Sequence, residues 1–260
     1  MHFKPKLIAF DLDGTLAESK QPVSVETGEL LAQLLAHIPV AVMSGAGYTQ
    51  MERQFLPAFP GGAHLEHLYL FPNSAARCYR YQDGAWKSEY DHSFDPFERG
   101  RIMQAIKEAL EEVGLSEVPN PVWGERIEDR GAQISFSPLG QQAPVDAKRE
   151  WNRLYDHKRK ELHATLTKRL PDFSVKMGGL TTIDITHKGI NKAYGIRQLV
   201  KFTDISVAEM LYVGDALQEG GNDSVVVDTG VHTHEVFGPE ETIALIKDML
   251  RHAHNPPPSI

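Results

Sequence analysis

The stretch KLIAFDLDGTL, residues 6–16, decides the fold. Its apolar run at 7–10 has the length of a buried strand and ends at Asp11 and Asp13, whose charges cannot stay in a dry core. Ligands of parallel α/β sheets bind just beyond the carboxyl ends of the strands, so both carboxylates are expected to project into such a crevice, where Gly14 permits a sharp turn. The pattern therefore predicts an α/β protein whose chemistry begins where the first strand ends.

Two carboxylates this close repel each other unless a cation lies between them. Mg²⁺, which prefers oxygen ligands, is the natural candidate for that cation. A simpler interpretation is a strand that ends in an Asp-Gly turn, since that pair is a common turn signal. The whole motif DLDGTL resembles the first motif of the haloacid dehalogenase superfamily of phosphotransferases. This resemblance implies that Asp11 is a nucleophile and Asp13 a general acid and base.

Composition excludes several classes of function. The chain of 260 residues is 41% hydrophobic, so it can bury a substantial core, and its net charge of -8 argues against nucleic acid as a partner. Cys78 is the only cysteine, which rules out an intrachain disulfide and favours a reducing compartment. The amino terminus matches neither a signal peptide nor a membrane span. We expect a cytoplasmic protein that binds a small molecule and neither nucleic acid nor a membrane.

A second apolar strand at 40–43 brings Ser44 and Gly45 to the same sheet edge. A hydroxyl residue and glycines before a helix can form an anion cradle, although an ordinary strand-to-helix turn has the same pattern. The segment lies one β-α unit after the first motif. In the superfamily this is the place of the second motif, so the resemblance implies that Ser44 binds the transferring phosphoryl group.

The organisation changes after a hairpin that is centred on Asp83-Gly84. Patterns beyond it predict a helix at 97–113, strands near 122–128 and 132–137, a charged helix over 146–170, and strands at 173–177 and 181–186. Helices beside paired strands indicate a separate α+β layer. We therefore predict a Rossmann-like parallel-sheet core at 1–83 and 187–260, with an inserted α+β cap domain of the C2 type at 84–186.

The core resumes at KGINKAYGIRQL, residues 188–199, where Lys192 lies in the first turn of a helix. The helix dipole favours anions at that position, so the lysine either is an ordinary surface residue or has a ligand. The resemblance matches Lys192 to the third motif of the superfamily, which neutralises the nucleophile and the phosphoryl group. Lys188 is a less well placed rival.

A further buried strand at 210–214 leads directly into GDALQEGGND, residues 214–223. Asp215 leaves this strand as Asp11 leaves the first, so both would reach one metal ion. Asn222 and Asp223 follow in an acidic glycine-rich loop that lacks the ligand spacing of an EF-hand. Beyond it the sequence predicts a strand at 225–227, a solvated loop around the histidine pair at 232 and 234, and a closing amphipathic helix at 239–251.

The long GD…GGND motif is similar to that of eukaryotic-type phosphomannomutases. The segments RGAQISFSPLG (130–140) and GGLTTIDI (178–185), followed by KGINKAY, extend this resemblance over nearly the whole chain. It implies a homodimer formed through the cap. The metal ligands that it implies are Asp11, Asp215 and the backbone carbonyl of Asp13, with Asn222 and Asp223 in the second coordination shell. The substrate contacts that it implies are Gly45, Lys20, Arg130, Thr182 and Asp184.

Departures from the mutase pattern bear on the reaction. Trp123 and Gln141 stand where the mutases have two further cap arginines, and Ser44 is a glycine in the mutases although phosphatases of the superfamily have a hydroxyl residue there. A phosphatase lets water attack the aspartyl-phosphate, whereas a mutase must hold a bisphosphorylated sugar. We predict a Mg²⁺-dependent phosphohydrolase that acts on a sugar phosphate. The alternatives are a phosphomannomutase and a non-catalytic sugar-phosphate binding protein.

Overall fold

The computed structural model describes residues 3–19 and 21–254. The chain divides into two compact units, one formed by residues up to Asp91 and from Ile190 onward, the other by His92–Gly189. The predicted α/β class, with a parallel-sheet core and an inserted α+β unit, is confirmed. The inserted unit spans His92–Gly189, compared with the predicted 84–186. It begins later than predicted because the hairpin after Gln82 stays in the core sheet.

The strands in chain order are β1 (Leu7–Asp11), β2 (Val40–Met43), β3 (Leu68–Phe71), β4 (Arg77–Gln82), β5 (Ala85–Asp91), β6 (Ile127–Asp129), β7 (Ile134–Phe136), β8 (Phe173–Gly178), β9 (Thr182–His187), β10 (Met210–Gly214) and β11 (His232–Glu235). The helices are α1 (Val25–Leu35), α2 (Tyr48–Gln54), α3 (Pro96–Glu112), α4 (Val145–Arg169), α5 (Lys192–Thr203), α6 (Ser224–Val227) and α7 (Pro239–His254).

The core unit is built on a seven-stranded sheet of order β11-β10-β1-β2-β3-β4-β5. The first five strands of that order run parallel, and β4 and β5 extend the sheet as an antiparallel hairpin. In β1, Ile8 and Phe10 face one hydrophobic cluster while Leu7 and Ala9 face another. Both faces of the strand are therefore buried, which explains why its sequence is apolar without alternation.

Two predictions for the end of the core are wrong. The apolar run at 225–227 lies in the short helix α6, and the histidine pair lies on the edge strand β11 rather than in a loop. A run of three apolar residues does not distinguish strand from helix. The backbone of the polar segment His232–Glu235 finds its partners in β10, so sheet pairing decides its structure.

The inserted unit contains a four-stranded antiparallel sheet of order β6-β7-β9-β8. Apolar residues on one face of this sheet pack with residues of α3 and α4 in one hydrophobic cluster. The strand that we predicted near 122–128 is shorter and later than expected, at Ile127–Asp129. Among the helices of the described residues, none has the length and apolar composition that a membrane crossing needs.

Gly28 provides a test of the packing in the core unit. A methyl group at Gly28, in α1, would collide with the backbone carbonyl of Ala58. Although alanine favours helices, overpacking against rigid backbone should dominate, and we expect Gly28→Ala to lower the free energy of unfolding by about 1–3 kcal/mol in urea denaturation. Glu29→Ala, an exposed change in the same helix, should stay within about 0.5 kcal/mol of wild type. Equal stability of the two variants would contradict the close packing at Gly28.

Candidate active site

Three neighbouring strands bring the first motif, the second motif and the start of the GDALQEGGND segment to one edge of the core sheet. Asp11 is in register with Met43, so Ser44 leaves β2 beside the point where Asp11 ends β1. On the other side of β1, Phe10 is in register with Val213 of β10. Asp215 follows β10 directly. The parallel register therefore gathers these residues as the sequence predicted.

Lys192 lies at the centre of this cluster, in the first turn of α5. Its Nζ donates to Oδ1 of Asp11 at 2.6 Å and to Oδ1 of Asp223 at 2.5 Å. The lysine side chain is 2% exposed and those of Asp11 and Asp223 are 5% and 0% exposed, so all three are removed from solvent. Lys188, the rival lysine, is exposed. The structure thus brings Lys192, and not Lys188, to the predicted nucleophile.

Burial and charge shift the pKa values of the cluster. Burial raises the pKa of the Asp11 carboxyl from 3.8 to about 7; Lys192 opposes this rise, and Asp223 and Asp215 add to it. Burial alone would lower the pKa of Lys192, but the charges of Asp11 and Asp223 and their hydrogen bonds raise it above its usual value. Desolvation, followed by the charge of Asp223, also raises the pKa of Asp215. Each carboxyl is held in a site that favours a cation nearby.

The acidic residues of the cluster fit a divalent metal ion. Asp11, Asp215 and Asp223 each offer a carboxylate oxygen, and these oxygens lie within 4.8 Å of one another. An all-oxygen donor set is typical of hard cations such as Mg²⁺. Gly14, at φ +86°, leaves the space beside Asp215 open, because a side chain at this position would collide with the Asp215 carboxylate.

Asp13, the predicted acid and base, is half-buried and accepts a hydrogen bond from Nε2 of Gln54 at 3.2 Å. Gln54 is the last residue of α2 and is itself buried, and Oε1 of its side chain accepts from Gln50. Gln54 is not among the site residues predicted from the sequence. Only the packing of α2 reveals it, since nothing in its local sequence distinguishes it from a surface glutamine.

The Ser44 loop is held by an unusual turn after β3. Ser44 is 1% exposed, and its hydroxyl accepts from the backbone N–H of Ala46 at 3.0 Å. Asn73, Ser74 and Ala75 all have left-handed backbone angles, with φ of 53°, 54° and 67°. The N–H of Asn73 donates to the carbonyl of Ala46, and that of Ser74 to the carbonyl of Ser44, both at 2.8 Å. Three such residues in succession are strained, so tertiary contacts must maintain them.

Other predicted residues of the core unit are not part of the buried cluster. Asn222 lies next to Asp223 but is exposed. Gly45 is half-buried. A Cβ atom added to Gly45 would lie 3.8 Å from the hydroxyl oxygen of Ser74. Lys20 lies outside the described residues.

The predicted sugar contacts of the inserted unit belong to a polar network on its sheet. The Ser135 hydroxyl donates to Oδ1 of Asp184 at 2.6 Å, and Gln133 donates to Oγ of Ser135 at 2.9 Å. Burial raises the pKa of Asp184, while Ser135, Arg130 and Gln133 act in the opposite direction. Arg130 also forms a 2.7 Å ion pair with Glu128. Thr182 is half-buried at the start of β9. Gln133 belongs to this network but is not among the residues predicted from the sequence.

Comparison with known proteins places these features in a family. The family model described as eukaryotic phosphomannomutase matches residues 27–252. The chain belongs to the eukaryotic phosphomannomutase family. Phosphomannomutase of Saccharomyces cerevisiae is 25% identical over 254 residues, which cover 95% of both chains. That of Spinacia oleracea is 26% identical over 250 residues, covering 94% of this chain and 95% of the relative.

A solved structure extends the comparison to the fold. The C-terminal domain of trehalose-6-phosphate phosphatase from C. albicans superposes with a TM-score of 0.65 at 17% identity, covering 95% of this chain and 93% of that one. This likeness shows the fold alone. Together with the family match, it confirms the expected membership of the haloacid dehalogenase superfamily, and the protein is a phosphotransferase of that superfamily.

Three other arginines of the inserted unit make contacts within the protein. The Arg126 guanidinium donates to the backbone carbonyls of Leu115, Ser116 and Glu117 at 2.7–3.2 Å. Gln141 donates from Nε2 to the carbonyl of Ser135 at 3.2 Å. On α4, Arg149 and Arg153 pair with acids of their own helix, at Asp146 and Glu150.

Lys192→Met tests the electrostatic role of the lysine in the cluster. The substitution leaves two buried carboxylates without their cation, and we expect it to lower the free energy of unfolding by about 3–5 kcal/mol in urea denaturation with EDTA present. Lys201→Met, at the exposed end of the same helix, should change it by less than about 0.5 kcal/mol. A Lys192→Met protein as stable as Lys201→Met would show that the ion pairs do not form.

Proposed function

We propose that this protein is a Mg²⁺-dependent phosphohydrolase that acts on a sugar phosphate through an aspartyl-phosphate on Asp11. The observation that carries the proposal is the buried contact of Lys192 with Asp11, beside the carboxylates of Asp215 and Asp223. A binding protein has no need of a nucleophile and an acid-base residue two positions apart. The cluster therefore supports phosphoryl transfer over the non-catalytic alternative.

In the proposed reaction, a carboxylate oxygen of Asp11 attacks the phosphorus in line with the leaving oxygen, which takes a proton from Asp13. Asp13 then accepts a proton from the water that attacks the phosphorus of the aspartyl-phosphate, and inorganic phosphate leaves Asp11 unmodified. Lys192 offsets the negative charge of the phosphoryl group, and Ser44 and Gly45 bind its other oxygens. Asp223 keeps Lys192 in place.

Asp11, Asp215 and the backbone carbonyl of Asp13 would hold Mg²⁺. When bound, the ion supplies charge neutralisation for the phosphoryl oxygens. The hydrogen bond from Gln54 to the Asp13 carboxylate supports the acid-base role of Asp13. Gln54 is a neutral donor, so it restrains the side chain without placing another charge beside it.

The inserted unit supports hydrolysis over mutase activity. A hydrogen bond to a charged group contributes about 1.5–3 kcal/mol, so two missing arginines would weaken a distal phosphate clamp by about 3–6 kcal/mol. That is on the order of a hundred- to ten-thousandfold in affinity. Arg126, which could have compensated, already donates to three backbone carbonyls.

Phosphomannomutase activity is the second candidate, and the family match over residues 27–252 favours it. Under either reaction we infer that Arg130, Thr182 and Asp184 contact the sugar, with Lys20 as a further contact. A homodimer through the inserted unit, acting as a cap, and a cytoplasmic location remain predictions from the sequence.

Substitution of the two motif carboxylates tests the chemistry. We expect Asp11→Asn to reduce phosphate release to background, because an amide cannot form the aspartyl-phosphate. Asp13→Asn should slow turnover by about 10²–10⁴-fold, the usual contribution of a positioned acid-base group. Release of inorganic phosphate from hexose phosphates measures both effects. Asp228→Asn, an exposed core-unit change, should keep wild-type turnover, and turnover in Asp11→Asn would exclude the covalent mechanism.

A single assay separates the two reactions. The protein is incubated with Mg²⁺ and hexose 1- or 6-phosphates, with and without a hexose bisphosphate, while inorganic phosphate and isomer are both followed. We expect phosphate release without isomer formation, and loss of release in EDTA. Isomer that forms only when bisphosphate is present would identify a mutase. Mg²⁺-dependent substrate binding without either product would identify a binding protein.

A further inference from the structure

Tyr212 is a buried tyrosine whose hydroxyl belongs to the active-site cluster. It lies in β10, three residues before Asp215, and its side chain is fully buried. Its ring packs in an apolar cluster of the core unit. A phenylalanine would pack there equally well, so the ring alone does not explain the hydroxyl, which needs a hydrogen-bond partner when buried.

That partner is Asp223. The Tyr212 hydroxyl donates to Oδ1 of Asp223 at 2.6 Å, and the same oxygen accepts from Nζ of Lys192 at 2.5 Å. Since Lys192 also donates to Asp11 at 2.6 Å, Tyr212, Asp223, Lys192 and Asp11 form a continuous chain of hydrogen bonds. The phenol is thereby connected to the proposed nucleophile through two charged side chains.

The hydroxyl restrains the carboxylate that holds Lys192. Among the described residues, the hydrogen bond to Oδ2 of Asp223 is a long one, 3.4 Å from the backbone N–H of Ala216. Tyr212 therefore supplies the short neutral donor to this carboxylate. Donation from the phenol fixes the rotation of the carboxylate and disperses part of its charge. Asp223 then attracts Lys192 less strongly, and the ammonium group stays within reach of Asp11.

We propose that Tyr212 is a positioning residue for phosphoryl transfer, which acts through Asp223 on Lys192. The inference rests on the proposed function, because it assumes that Asp11 is phosphorylated. It concerns a side chain outside the recognised motifs. Its effect must pass through Asp223, and this requirement makes it testable.

Tyr212→Phe removes the hydroxyl and retains the ring. In single-turnover experiments with Mg²⁺ and a hexose phosphate that wild type hydrolyses, we expect the rate of phosphoenzyme formation to fall about tenfold, since a hydrogen bond to a charged group is lost. Tyr69→Phe is the matched control, because Tyr69 is buried in the same apolar cluster. It should retain the wild-type rate.

A double-mutant cycle separates positioning from a structural role. If Tyr212 acts through Asp223, then Tyr212→Phe should change the rate less than twofold in an Asp223→Asn background. A tenfold loss in both backgrounds would overturn the proposal, as would a wild-type rate in Tyr212→Phe. Thermal unfolding of each variant identifies any loss that follows stability alone, which would also overturn it.

A binding measurement distinguishes failure of this inference from failure of the proposed function. If wild type does not turn over any hexose phosphate, the affinity for inorganic phosphate with Mg²⁺ is measured by calorimetry. A several-fold weaker affinity in Tyr212→Phe, but not in Tyr69→Phe, would retain the role of Tyr212 while the proposed hydrolysis fails. Equal affinities in wild type and Tyr212→Phe would overturn the inference.

Discussion

The structure of the core unit depends on one buried cation, the ammonium group of Lys192. Asp11 and Asp223 come from opposite ends of the chain, and without a positive charge between them their burial would be strongly unfavourable. Each partner requires the other, since a desolvated lysine without acids would be equally costly. Charges held in place in this way are preorganised, so they need little rearrangement to act on a charged group.

The second constraint is conformational and lies at the neighbouring strands. The left-handed turn at Asn73–Ala75 has no glycine to relieve it, yet its N–H groups satisfy the carbonyls of the Ser44 loop. Within the described residues, neither polar atom of the buried Asn73 side chain has a hydrogen-bond partner. Strain and an unsatisfied amide beside one loop are features that persist only where the surrounding structure maintains them. They mark the Ser44 loop as a rigid part of the site.

The inserted unit carries the side chains that bear on the choice between hydrolysis and isomerisation under the proposed function. In its polar network, Gln133 donates to Ser135 and Ser135 donates to Asp184, while the charge of Arg130 also acts on Asp184. Hydroxyl and amide groups of this kind can bind the hydroxyl groups of a sugar. Gln141, one of the two residues that the resemblance aligns with mutase arginines, donates to the backbone carbonyl of Ser135. Fold and family therefore leave the choice between hydrolysis and isomerisation to a few side chains of this unit.

The sequence by itself determined the strands that carry Asp11, Ser44 and Asp215, because an apolar run followed by acids or glycines is a local pattern that does not depend on the rest of the chain. It also predicted the α/β class and an inserted unit. It placed the start of that unit at 84, a strand at 225–227 and a loop around the histidine pair. In the structure the unit begins at His92 and the segment His232–Glu235 pairs with β10, because strand pairing between distant segments decides these features. The resemblance already favoured Lys192 over Lys188, and the tertiary structure places Lys192 against Asp11. Only the tertiary structure revealed Gln54 and Tyr212. Lys192 and Asp11 are 181 residues apart, and contacts at such separations are fixed by the packing of whole elements rather than by any local pattern.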